Sequence, residues 1–149
     1  MERERGFTLV ELVIAAAITG VIVSVVGGAI YQIIKVTDYG QEKMIALNEL
    51  QNVAHWFGRD GQSASQATGG SELVLTIPDS SPITYSLVGT ELRRTSGGSS
   101  LTLARNISSA SFAVNERLIT LTLTSSPQGK SNINEQATYQ VLLRASQGE

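Results

Sequence analysis

The stretch RERGFTLVELVIAAAITG, residues 3–20, decides the architecture. It opens a long apolar run in which Glu11 is the only formal charge between Phe7 and Ile34, and no proline interrupts it. A hydrocarbon core of about 30 Å is crossed by roughly 20 residues of helix, and this run is longer than that. An ordinary secretory signal ends its apolar stretch at a small-residue cleavage site. Here apolar residues continue well past Ala15-Ala16-Ala17, so cleavage there would leave an apolar stub. Arg3, Arg5 and the free amine precede the run and Lys35 follows it, which favours a cytoplasmic amino terminus despite Glu2 and Glu4.

The rest of the chain contrasts with this segment. It has 149 residues, enough for one ordinary domain, and a formal net charge of −2. With an isoelectric point near 5.4, no overall basic field favours nucleic acid. The absence of cysteine excludes disulfides and thiolate chemistry and leaves the redox compartment open. Mean hydropathy is close to zero only as an average, because the residues after the apolar run are rich in Ser, Thr, Gly and Asn.

Beyond Lys35 helical periodicity persists. Val36, Tyr39, Leu47, Leu50, Ala54 and Phe57 fall on one stripe of an amphipathic helix, flanked by Ile45, Val53 and Trp56. Gly40 interrupts the pattern without ending it. Gly58 and Gly61 mark its end before a loop, GQSASQATGG. A continuous helix from Phe7 to Phe57 would span roughly 75 Å. The remainder alternates with period two. Leu73, Leu75 and Ile77 form one apolar face and Ile83, Tyr85 and Leu87 another. Leu101 and Leu103, Phe112 and Val114, then Ile119, Leu121 and Leu123, and finally Tyr139, Val141 and Leu143 repeat the theme. Turn signals stand at PDSSP (78–82), Gly89, Gly97-Gly98 and SSPQGKSNINEQ. Such alternation describes antiparallel strands with one packed and one wet face. The expected class is therefore α+β, a long amino-terminal helix packed on an antiparallel sheet.

The junction carries a resemblance. Gly6, Phe7, Thr8, Leu9, Val10 and Glu11 match, position by position, the class III signal of type IV pilins and type II secretion pseudopilins. That resemblance implies cleavage by a prepilin peptidase between Gly6 and Phe7 and methylation of the new Phe7 amine, with the apolar run retained. Gly6 suits a position where a close backbone approach is needed. It also implies a pilin fold, divided as leader peptide 1–6, transmembrane or filament-core helix 7–34, amphipathic half-helix 35–60 and β head 61–149. A carboxylate at a bilayer centre costs about 2.5–3.5 kcal/mol, which calls for a compensating role. In the family the acid matching Glu11 pairs with the terminal amine of a neighbouring subunit during assembly. The other reading keeps Glu11 hydrated near the interface, about 6 Å of helix from the new terminus. Both stand, at different stages of assembly.

The implied partners are other pilins or pseudopilins of the same filament, the prepilin peptidase, an inner-membrane assembly platform, and membrane lipid before assembly. The implied location is a single pass of the inner membrane with the head outside, followed by an extracytoplasmic filament. The segments ELQNVAHWFGRDGQSAS, ITYSLVGTELRRTSGG and LTLARNISSASFAV are similar to J-type minor pseudopilins and W-type minor pilins. They favour a minor, tip-associated or priming subunit over a major one. The alternatives are a ligand- or DNA-binding minor pilin, a major filament subunit, and a membrane-anchored domain that never polymerises.

Other candidate chemistry carries less. Ala16, Gly20, Ser24 and Gly28 form a small-residue row that would let helices approach closely, although such residues are common in apolar spans. Gly27-Gly28 is a local weak point of the helix. His55, the only histidine, lies beside Trp56 on the amphipathic helix, which favours a structural or partly exposed role over catalysis. Arg59 and Asp60 read as support for the helix end or a local ion pair. Asp79, Asn132, Asn134 and Glu135 have calcium-binding oxygens but match no defined loop. Arg93, Arg94, Arg105 and Arg117 would form the basic patch of a DNA-binding head, although arginines on a strand face more often only solvate it. No phosphate-cradling glycine motif occurs. The expectation is a structural protein without cofactor or metal, not an enzyme.

Overall fold

The computed structural model describes residues 7–128 and 132–144. The leader 1–6, with Gly6, and part of the SSPQGKSNINEQ turn lie outside them. The chain divides into two compact units, Met1–Asp38 and Tyr39–Glu149.

One helix, α1, runs over Leu9–Ser63. It passes through Gly20, Gly27-Gly28 and Gly40 without a break. It also passes Gly58 and Gly61, which the sequence pattern took as its end. Gly61 has a different job. A Cβ there would collide with the Val141 side chain, so the missing side chain lets α1 lie close against a strand. The expected loop at 61–70 is accordingly shorter, because Ala64 is buried and Gln66–Thr68 pairs as strand β1.

The remaining strands are β2 (Glu72–Thr76), β3 (Ile83–Val88), β4 (Glu91–Ser96), β5 (Ser99–Ala104), β6 (Ile107–Asn115), β7 (Leu118–Ser125) and β8 (Glu135–Leu142). All pairings are antiparallel. The α+β expectation holds, a long helix packed with antiparallel strands in a pilin-like arrangement, but the single sheet expected is two. One has five strands in the order β1-β2-β3-β4-β5 and the other has three, β6-β7-β8. A lone bridge between Gly70 and Phe112 links the segment after β1 to β6. Gly97 and Gly98 both have positive φ and form the two-residue turn between β4 and β5, a geometry that matches strand twist and suits glycine.

The core is built from period-two positions. Leu73, Leu75, Ile83, Tyr85, Leu92, Phe112, Ile119, Leu121, Leu123 and Val141 are all buried, together with Leu50, Val53 and Phe57 of α1. The helix stripe is rotated from the one expected. Ala46, Leu50, Val53, Phe57, Asp60 and Gly61 face the sheets, whereas Val36 is 71% and Leu47 39% exposed. Leu101 and Leu103 do not share a buried face either. A register shift between β4 and β5 at Leu92/Arg93 makes Leu103 a bulge, so Leu103 and Ala104 are both buried and Leu101 stays exposed.

Candidate assembly site

Helix α1 begins with a capping box. The Glu11 N–H donates to Thr8 Oγ1 at 3.3 Å. In return the Thr8 N–H and hydroxyl donate to Glu11 Oε2 at 3.2 and 3.1 Å. Glu11 is therefore held by its own helix end, where a negative charge also suits the helix dipole. The Thr-x-x-Glu spacing before an apolar run was a legible signal for this contact, and sequence reasoning passed over it. Phe7, the residue expected to carry the methylated amine, is exposed just ahead of this cap.

Past the cap, the large apolar side chains from Leu9 to Val36 are exposed around the whole helix circumference. The segment is long and apolar enough to cross a membrane. Its hydroxyls are satisfied locally. Thr19 and Ser24 donate to the carbonyls of Ala15 and Gly20, each at 2.8 Å, the bond a helical hydroxyl makes to its own backbone. Ala16, Gly20, Ser24 and Gly28 are exposed as well, and no heavy atom lies near the positions a Cβ would take on Gly20 or Gly28.

Within the second unit, polar side chains tie α1 to both sheets. Asp60, buried near the helix end, accepts from Arg94 through Nε at 2.5 Å and Nη2 at 3.1 Å. The Tyr85 hydroxyl donates to the same carboxylate at 2.6 Å. Arg59 stands farther off at 3.7 Å, so the expected local pair is secondary to a bond reaching β4. Burial, then the hydrogen bond to Asp60, holds the Tyr85 phenol well above its usual titration range. Hydrogen bonding to Asp60 likewise raises Arg94. Two guanidiniums lie over the Trp56 ring, Arg59 at 4.1 Å and Arg94 at 4.9 Å from its centroid. His55 is exposed and meets Trp56 edge-on.

Glu49 and Asn52 are contacts that sequence reasoning missed. Glu49 accepts from the Arg105 N–H and Asn106 Nδ2, both at 3.1 Å, and from Ser125 Oγ at 3.3 Å. Asn52 Nδ2 donates to the carbonyl of the bulged Leu103 at 2.6 Å. Neither contact has a local signal, because each depends on which strand lies beside the helix.

The other three arginines of the expected basic patch are engaged too. Arg93 pairs with Glu91 at 2.8 Å, holding that carboxyl below its ordinary range, and Arg105 approaches Glu91 at 3.7 Å. Arg117 donates to the Leu143 carbonyl at 2.7 Å. The four arginines named for DNA therefore each have an intramolecular partner. The calcium candidates are divided. Asp79 lies in the β2–β3 turn, Asn134 accepts from Ser126, and Glu135 pairs with Lys43 at 3.3 Å. Among the described residues no three acidic or histidine side chains gather where they would hold a metal.

Residues 1–27 match the family model of the prokaryotic N-terminal methylation motif. The amino-terminal segment is thus similar to a type IV pilin-like prepilin signal. No curated protein and no solved structure matches the chain.

Proposed function

We propose that the chain is a structural subunit of a type IV pilus or type II secretion-like filament. It is inserted as a precursor, cut by a prepilin peptidase between Gly6 and Phe7, methylated on the Phe7 amine, and drawn into a helical bundle through the apolar part of α1. In that bundle Glu11 receives the Phe7 amine of a neighbouring copy or a related pilin. The observation that carries this is the methylation motif over residues 1–27, standing at the head of a helix whose large apolar side chains from Leu9 to Val36 are exposed among the described residues. In the low dielectric of a bundle the attraction between carboxylate and amine is strong, and desolvation offsets much of it.

We place the subunit among the minor, tip-associated or priming ones. The support is the J-type and W-type resemblance, whose Tyr strand, Leu-Arg return strand and Leu-Ala strand correspond to β3, β4 and β5. The intramolecular engagement of Arg93, Arg94 and Arg117 favours a structural head over a DNA-binding one. Measured affinity of the chain for DNA, falling steeply with salt, would reverse that order.

Intact-mass measurement tests the core of the proposal. The expected mass lacks residues 1–6 and gains one methyl group, while an intact leader on native material refutes processing. Glu11→Ala is expected to be processed normally yet to enter filaments poorly. Normal incorporation would remove the pairing role.

A further inference from the structure

We infer that Tyr31 and Lys35 form a clamp on lipid headgroups that fixes the far boundary of the membrane span, one hydrocarbon thickness from Glu11. The inference rests on the membrane-inserted precursor proposed above. Between Leu12 and Ile30 the only polar side chains are Thr19 and Ser24, and both hydroxyls are bonded to the helix's own carbonyls. Nothing in that interval asks for water. The first phenol, amide and ammonium then arrive together at Tyr31, Gln32 and Lys35. Tyr31 lies twenty residues beyond Glu11, which is about 30 Å of helix and the thickness of a hydrocarbon core.

The clamp has a defined geometry. Helical side chains lean toward the amino terminus, so Lys35 folds back one turn and its Nζ sits 5.0 Å above the Tyr31 ring centroid. The ammonium is therefore level with the ring rather than beyond it, and Tyr31 is 60% exposed. An amphipathic ring prefers the layer beneath the phosphates, and an ammonium at that depth meets phosphodiester oxygens. Exposure of the span on every side points to an occupant that surrounds it, acyl chains, rather than a partner docked on one face. At the near end, the Thr8 capping box already supplies donors to Glu11, so the carboxylate can sit at the opposite headgroup layer without a protein partner.

The chain has no cysteine, so single cysteines can be introduced into the full-length protein and spin-labelled. In phosphatidylethanolamine–phosphatidylglycerol vesicles, labels at Leu12, Val21, Ile30 and Val36 report depth through relative exposure to oxygen and a nickel chelate. The expected maximum is at Val21, with Leu12 and Ile30 similarly shallower and Val36 open to the chelate. A maximum displaced toward Val25 by a turn or more overturns the boundary. Shielding of one helix face from oxygen would mean a second copy covers it and overturns the lipid assignment. If no label favours oxygen, the helix is not inserted, and the membrane reading fails together with the clamp. Tyr31→Ala combined with Lys35→Ala is expected to slide the maximum by about one turn. An unmoved profile leaves the span in place and overturns the clamp.

Discussion

Asp60 joins α1 to β3 and β4 through a buried polar cluster. It is buried, doubly bonded to Arg94, and bonded again to Tyr85. Removing one member of such a pair strands the other charge, at a cost of about 3–5 kcal/mol. Asp60→Ala should therefore lower unfolding free energy by that order in a urea titration. Asp60→Ala with Arg94→Leu should lose markedly less, because no charge is left unpaired. Tyr85 sets an alkaline limit. Its phenol stays protonated in the folded state while the unfolded chain ionises near pH 10, so its contribution is full below about pH 10 and declines as pH rises above it. Tyr85→Phe should flatten that alkaline slope in pH-dependent melting. Of this cluster, the sequence made Arg59-Asp60 visible as a pair at a helix end. It could not show the bond across the chain to Arg94, because that depends on where β4 lands beside α1. Glu11 differs. Its capping partner Thr8 is local and was legible from spacing alone.

At the scale of elements, periodicity identified the helix and most strands correctly, and tertiary packing decided their phase and ends. Either of two overlapping stripes would serve an isolated amphipathic helix, and the sheets selected the one through Ala46, Val53 and Gly61. Val53→Ala should thus cost about 2 kcal/mol, whereas Leu47→Ala, on the stripe first expected, should be close to neutral by the same denaturation assay. Gly61→Ala should destabilise more than a surface change of that kind, because the added Cβ meets the Val141 side chain. β4 has no run of alternating large apolar residues and was apparent only through family resemblance. Its Leu92 carries the burial while Arg93 and Arg94 make ion pairs. The division into two sheets left no mark in the alternation, since strands of either sheet look alike one at a time.

For the whole molecule, the two units differ in what they bury. Residues up to Asp38 expose apolar side chains, while the second unit has its own buried core. Unfolding should not be a single transition. In detergent or vesicles, urea should abolish the signal of Trp56, the only tryptophan, at concentrations that leave much of the helical circular dichroism intact. Coincident curves would contradict this. The contrast between the units was the most legible property of the sequence, because a charge-sparse apolar run followed by Ser- and Thr-rich alternation needs no tertiary information to recognise.

The polar ties along the second half of α1 have a mechanical consequence. Lys43 to Glu135, Glu49 to the β5–β6 corner, the Leu50 carbonyl to the Tyr139 hydroxyl, Asn52 to Leu103, and Asp60 to Arg94 are spread along the helix, the earlier ones reaching the three-stranded sheet and the later ones the five-stranded sheet. A pull along the helix axis would load these anchors in parallel, in shear, instead of peeling them away one by one. Strands held this way resist being stripped from the second half of the helix when tension is applied.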